Sequence, residues 1–179
     1  MFASLAVPPD LAGVLDPGLP AVPEGVRAIP AERWHLTLAF FGELDDGALD
    51  CVARRMQRLS RTGAIALQVA GGGGFSGGVG YLAVVGVAGH DEAHLRALAL
   101  QCDRSGRSCD APGTSGRYRF RAHITVARSR RHGRLPPHLR DALATVRSPV
   151  WSVDEVLLVS SHLGAQPSYD VLRRFSLVE

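Results

Sequence analysis

Trp34-His35-Leu36-Thr37-Leu38-Ala39-Phe40-Phe41 is an apolar run interrupted by a histidine and a threonine two positions apart. Alternate side chains of an extended chain face the same way, so His35 and Thr37 share one face while Leu36 and Leu38 take the other. The stretch predicts a strand with a buried apolar back and a chemically equipped front. Half a chain later, residues 118–127 repeat the arrangement. There Tyr118, Phe120, Ala122, Ile124 and Val126 alternate with Arg119, Arg121, His123 and Thr125, and Arg117 extends the polar face. Two imidazole-hydroxyl pairs meeting across one cleft would supply an acid, a base and two neutral donors. Such a set suits attack on a phosphate ester without a metal.

The rest of the chain punctuates around these two strands. An opening strand is expected over 2–7, followed by a short helix over 11–15 and a Pro- and Gly-rich loop over 16–30. After the first motif strand ends at Gly42, Asp45 and Asp46 can cap a helix reaching about Leu59. Strands over 64–70 and 81–88 are separated by a glycine run read as a flexible connector, and a helix starting at Asp91 gives way to a flexible tract over 104–117. A helix over 138–146 and strands over 150–160 and 169–178 complete the order. Strand, helix, motif strand, helix thus occurs twice, which predicts an internal pseudo-duplication. The mixture lacks strict strand-helix alternation and predicts an α+β layered fold.

Composition narrows the chemistry. With 179 residues and 46% hydrophobic content the chain can bury a substantial core. Its longest apolar stretches are too short to span a bilayer, and the start lacks a positive n-region, so a cytoplasmic location is expected. All 20 cations are arginines. The absence of lysine excludes a Walker A loop and any Schiff-base or lysine-base mechanism. Net charge is +3, yet eight arginines and no acid fall within residues 111–140, a footprint for a polyanion wrapped around the second motif. Cys51, Cys102 and Cys109 are odd in number without a C-x-x-C spacing, so reduced thiols are expected.

Other candidates are weaker. His90 and His94 are four apart at a helix start, but glutamate does not follow the first histidine and no third metal ligand is evident. His132, His138 and His162 carry no specific signal. Residues 74–78 satisfy G-x-S-x-G around Ser76, which makes a serine esterase one alternative, although a glycine run meets that pattern cheaply. A non-catalytic RNA-binding protein is another.

The chain resembles the 2H phosphoesterases, and within them the RNA 2′,3′-cyclic phosphodiesterase branch, also called 2′-5′ RNA ligase-like proteins. The resemblance rests on Phe2, residues 34–38 followed by Phe41-Gly42, Phe75 after the glycines, residues 120–128, and Ser160-Ser161-His162-Leu163 with Tyr169. It implies one domain over 1–179, α+β and bilobal, with two antiparallel sheets around a central cleft and helices outside. It implies hydrolysis of RNA 2′,3′-cyclic phosphate ends to 2′-phosphates without a cofactor or metal, and a reverse 2′-5′ ligation. His35 would protonate the leaving 3′-oxygen and His123 would activate water. Thr37, Thr125 and Arg128 would hold the phosphate, with Arg117, Arg119, Arg121 and Phe75 as further RNA contacts of a soluble monomer. Two positions depart from the family: Ala122 stands where proline is usual, and Arg33 where asparagine is common.

Overall fold

In the computed structural model, which describes residues 1–59, 63–76, 78–114, 120–130, 133–162 and 168–178, both histidine-threonine stretches are β-strands. The elements run β1 (Phe2–Ala6), α1 (Pro9–Leu15), β2 (Val26–Ala28), β3 (His35–Phe40), α2 (Asp46–Met56), β4 (Ile65–Phe75) and β5 (Val79–Gly86). Then come α3 (Gly89–Arg107), β6 (His123–Ser129), α4 (Pro137–Thr145), β7 (Trp151–Val153), β8 (Glu155–His162) and β9 (Ser168–Ser176). Neighbouring strands pair antiparallel, β9-β8-β1-β3 in one lobe and β6-β5-β4-β7 in the other, with β2 on β6. The lobes join edge to edge where Leu36 of β3 pairs with Ile124 of β6. This is the expected α+β bilobal architecture.

Leu36 and Ile124 are the residues that follow the two histidines, so a pseudo-twofold axis passes between them. The symmetry reaches the register of the neighbouring strands. Ser4 pairs with Thr37 and Ala3 with Ala39, while Tyr81 pairs with Thr125 and Gly80 with Ala127. Each motif strand therefore bulges just past its threonine, a device that bends a strand and re-aims its side chains. The duplication expected from element order is real, as β1-α1-β3-α2 and β5-α3-β6-α4.

The backs of the motif strands supply the core. Leu36, Leu38, Ile124 and Val126 are each no more than 2% exposed and join Phe41, Met56, Leu82 and Leu95 in one cluster. Helix α3 covers β3 and β5, α4 covers β4 and β5, and α2 packs on α3. Local chemistry starts α2 where the chain predicts: the Asp45 carboxylate accepts the Ala48 N–H at 2.8 Å, and Arg54 and Arg55 lie in the last turn.

Several expectations need correction. The loop over 16–30 contains a 3-10 turn at Asp16–Gly18 and strand β2, whose Arg27 pairs with Arg128; three residues are too few to show a period. The glycine run is strand, not connector. Gly71, at φ +92°, and Gly72 lie where α4 and β5 come close, and a Cβ would stand 2.7 Å from the Ala144 carbonyl and 2.2 Å from that of Tyr81. Helix α3 runs on to Arg107, part of the tract read as flexible, with Asp103 and Arg107 paired at 2.8 Å in its last turn. The second motif strand begins at His123. The strand over 150–160 is two strands, β7 on β4 and β8 on β1, one in each lobe.

The cysteine reading also changes. Cys51 and Cys109 form a disulfide with Cα atoms 5.9 Å apart, placed together as α2 packs on α3. Their separation of 58 residues hides the pairing from the sequence. Cys102 is the buried free thiol, its pKa pushed up to about 12 chiefly by burial. No helix among the described residues is long and apolar enough to cross a membrane.

Candidate active site

The fronts of β3 and β6 open onto one cleft of about 580 Å³. His35, Thr37, His123 and Thr125 line it with Arg27, Arg33, Arg128, Phe2, Phe75, Ser161 and Tyr169. Strand alternation sends each motif's leucine, isoleucine or valine into the core and its histidine and threonine to the cleft, as the sequence predicts. The described lining includes three arginines and two histidines and neither aspartate nor glutamate.

The two histidines are held in the same way. His35 Nδ1 lies 2.8 Å from the Arg33 carbonyl, and His123 Nδ1 lies 2.6 Å from the Arg121 carbonyl. A carbonyl only accepts, so in both rings Nδ1 carries the proton and donates. Nε2 is left as the working atom in both cases, a base when bare and an acid when protonated. Aromatic rings fix the imidazole planes. Phe2 stacks on His35 at 4.8 Å and Tyr169 meets it edge-on at 5.2 Å, while Phe75 meets His123 edge-on at 4.9 Å and stacks on Tyr81 at 4.1 Å.

Both imidazoles titrate below the ordinary histidine value. Burial is the main cause for His35, opposed by its carbonyl bond and reinforced by His123, Arg33 and Arg128. Burial also leads for His123, with Arg121 and Arg128 adding to it. The cleft is thus positively charged and disfavours further protons. Cross-strand pairing sets Arg27 directly opposite Arg128, a like-charge arrangement that costs stability unless an anion lies between. Together, the Nε2 atoms, two hydroxyls and guanidinium groups are the kinds of donor and proton-transfer atom that binding a phosphate and moving protons on either side of it would require.

The structure thus gathers His35, His123, Thr37, Thr125, Arg128 and Phe75 in one cleft. Arg121 lies beside it, its guanidinium 4.9 Å from the Phe75 ring centre. Arg117, Arg119 and His132 lie outside the described residues. Ser76 sits in the exposed turn between antiparallel strands β4 and β5, not at the strand-to-helix elbow that a serine esterase needs. His90 lies on the exposed start of α3, where Asp91 instead accepts the Ala66 and Ala88 N–H groups and anchors the helix to β4. His138 is exposed, and His162 pairs with Asp170 at 2.9 Å. Sequence reasoning gave no role to Arg27, Arg33, Phe2 or Tyr169. Arg27 depends on an unforeseen strand, and Phe2 and Tyr169, named only as carriers of the family resemblance, reach His35 through strand pairing; Arg33 left a trace as a departure from the family pattern.

Fold and site together define a class: two pseudo-symmetric α+β lobes that share one cleft, each contributing a His-x-Thr strand. The chain belongs to the 2′-5′ RNA ligase superfamily, whose profile matches residues 24–165. Similar solved structures include a phosphoesterase, with 20% identity, a TM-score of 0.76 and coverage of 99% of this chain and 98% of that one. The protein TT0787 of Thermus thermophilus shares 25% identity at a TM-score of 0.73, covering 98% and 96%. E. coli LigT complexed with 3′-AMP shares 21% at 0.75, covering 99% and 97%. No curated protein matches the chain.

Proposed function

We propose that this protein hydrolyses 2′,3′-cyclic phosphate ends of RNA to 2′-phosphates without a metal ion. The observation that carries this reading is the pair of histidines, tied through Nδ1 in the same way and facing one arginine-lined cleft. A water oxygen attacks phosphorus as His123 Nε2 takes the water proton. The bond from phosphorus to the 3′-oxygen breaks in line, and His35 Nε2–H delivers its proton to that oxygen. Thr37, Thr125 and Arg128 donate to the equatorial oxygens, where negative charge grows. The histidines then exchange a proton with solvent and recover their starting states. Which histidine is acid and which base follows the family resemblance. LigT's complex with 3′-AMP supports a cleft of this kind accepting a nucleotide phosphate. The same step with an RNA 5′-hydroxyl in place of water, its proton taken by His123 Nε2 and the 3′-oxygen again protonated by His35, gives 2′-5′ ligation.

The test is incubation with an RNA ending in a 2′,3′-cyclic phosphate, followed by identification of the hydroxyl that keeps the phosphate. A 2′-phosphate, formed equally well in EDTA, is expected. No turnover, a 3′-phosphate product, or activity lost in EDTA and restored by zinc or manganese would overturn the reading.

A further inference from the structure

The cleft holds more positive charge than one cyclic phosphate can use. That group carries a single negative charge, and Arg27 and Arg128, paired across β2 and β6 and lining the cleft with the two threonines, suffice to balance it. Arg33 is left over. It ends the 3-10 turn Ala31–Arg33, held by the Pro30 carbonyl, which accepts the Arg33 N–H at 2.9 Å. Its guanidinium carbon lies 5.2 Å from the Tyr169 ring centre, and Nη2 reaches the Tyr169 hydroxyl only at 3.4 Å. Its Nε is buried and without a hydrogen-bond partner, and no carboxylate of the described residues pairs with it.

A buried guanidinium nitrogen without a partner is costly to maintain and calls for an acceptor. The pseudo-symmetric position shows how unusual this is. Arg121 likewise sits two residues before its histidine and over an aromatic ring, but it is exposed and lies outside the cleft lining. Arg33 faces the cleft with a fork of donors, the geometry that matches phosphate oxygens. Trp34 alone separates it from His35, two chain steps or at most about 6.6 Å of backbone, a span on the scale of one nucleotide step.

We propose that Arg33, seated on Tyr169, binds a second phosphate of the substrate, one nucleotide step from the phosphate held between the histidines. The proposal rests on the functional reading above for the position of the first phosphate. It makes Arg33 a specificity determinant that favours ligands with two phosphates over those with one. The second phosphate is either a terminal 5′-phosphate or the phosphodiester that links the last two nucleotides.

Equilibrium binding tests this independently of turnover. The probes are a nucleoside 2′-monophosphate, the same nucleoside 2′,5′-bisphosphate, and a dinucleotide with a terminal 2′-phosphate. The wild-type protein is expected to bind at least one two-phosphate probe about tenfold or more tighter than the monophosphate, as a charged hydrogen bond warrants. Arg33→Gln should bring that ratio close to one, and Arg33→Lys should keep part of it. Preference for the bisphosphate would assign the site to a terminal phosphate, preference for the dinucleotide would assign it to the phosphodiester, and equal tightness of these two would show that it takes either. Equal affinity of wild type for all three probes, or a ratio unchanged in Arg33→Gln, would overturn the proposal. The monophosphate serves as the folding control within each variant. A protein that keeps the ratio yet cleaves no cyclic phosphate would refute the functional reading and not this one.

Discussion

The pH dependence of turnover follows from how the two histidines are held. Turnover needs one Nε2 protonated and the other bare, and both rings titrate below the ordinary histidine value of about 6.5. Above both values the acid is lost tenfold per pH unit, and below both the base is lost at the same rate. The free-enzyme profile, read as kcat/KM, is therefore a bell whose maximum lies below about pH 6.5 and which drops roughly 100-fold between pH 7 and 9. If the two values nearly coincide, the productive pair of states accounts for roughly a quarter of the enzyme at the peak. A bound phosphate monoanion favours both protonated rings, so the kcat profile shifts to higher pH than kcat/KM. Initial rates on a cyclic-phosphate oligonucleotide from pH 4.5 to 9, at constant ionic strength, measure both. A kcat/KM that climbs to a plateau and stays there to pH 9 would refute acid catalysis by an imidazole. His35→Gln and His123→Gln should each cost about 10² to 10⁴, and the double variant little more, because the pair works as a unit.

Thr37→Ala and Thr125→Ala each remove one neutral donor to the developing charge and should lower kcat about 10²-fold or more, with melting unchanged; a variant at wild-type rate would remove that hydroxyl from the site. Arg27→Gln relieves the like-charge pair opposite Arg128, so the free protein should gain up to about 1 kcal/mol in urea denaturation while phosphate affinity falls, and destabilisation would contradict the argument. Reducing the Cys51–Cys109 bond, which closes a loop of 58 residues, should cost about 4 kcal/mol by loop entropy, measured as a fall in Tm with a phosphine reductant that Cys51→Ser with Cys109→Ser reproduces. The folded chain holds His35 neutral, so the unfolded chain takes up a proton first as pH falls. The stability from this group is complete above about pH 6.5 and drains at up to about 1.4 kcal/mol per pH unit below it, until the folded value is reached. His123, whose value is also lowered chiefly by burial, acts in the same direction. Denaturation at pH 5 and 7, compared with His35→Gln, isolates the effect; an identical slope in the variant would disprove it.

Strand alternation around His35 and His123 was readable because it is local: a period of two over a few residues decides which side chains face the core. From that period came the core leucines, the paired hydroxyls and the duplicated order of elements. What escaped depends on chain segments that meet only in three dimensions. β2 is three residues long and exists because β6 offers it an edge. The glycines of β4 look like a linker in isolation and are strand because α4 and β5 press on their backbone. Cys51 and Cys109 meet because α2 lies on α3. The arginine-rich stretch over 111–140 reads as a polyanion footprint around the second motif, and its Arg128 lines the cleft. Of the two arginines that stand two residues before the histidines, Arg33 lines the cleft and Arg121 does not.

Under the proposal for Arg33, that asymmetry would set the direction of the reaction. The backbone around the two histidines is close to symmetric: the same carbonyl bond at Nδ1, the same bulge past the threonine, the same pairing at the axis. By backbone symmetry alone, an isolated phosphate at the axis would meet two imidazoles held in the same way, and either could serve as base. Roles can be assigned only by a feature that orients the substrate, and such a feature must lie off the axis and lack a counterpart across it. Phe2 and Phe75 flank the two imidazoles from opposite lobes and so discriminate weakly. Among the described residues, Arg33 with Tyr169 has no equivalent arginine-aromatic pair inside the cleft on the other side. By holding the substrate at a second point it would place the leaving oxygen against one histidine and water against the other, so binding energy far from phosphorus becomes orientation at it.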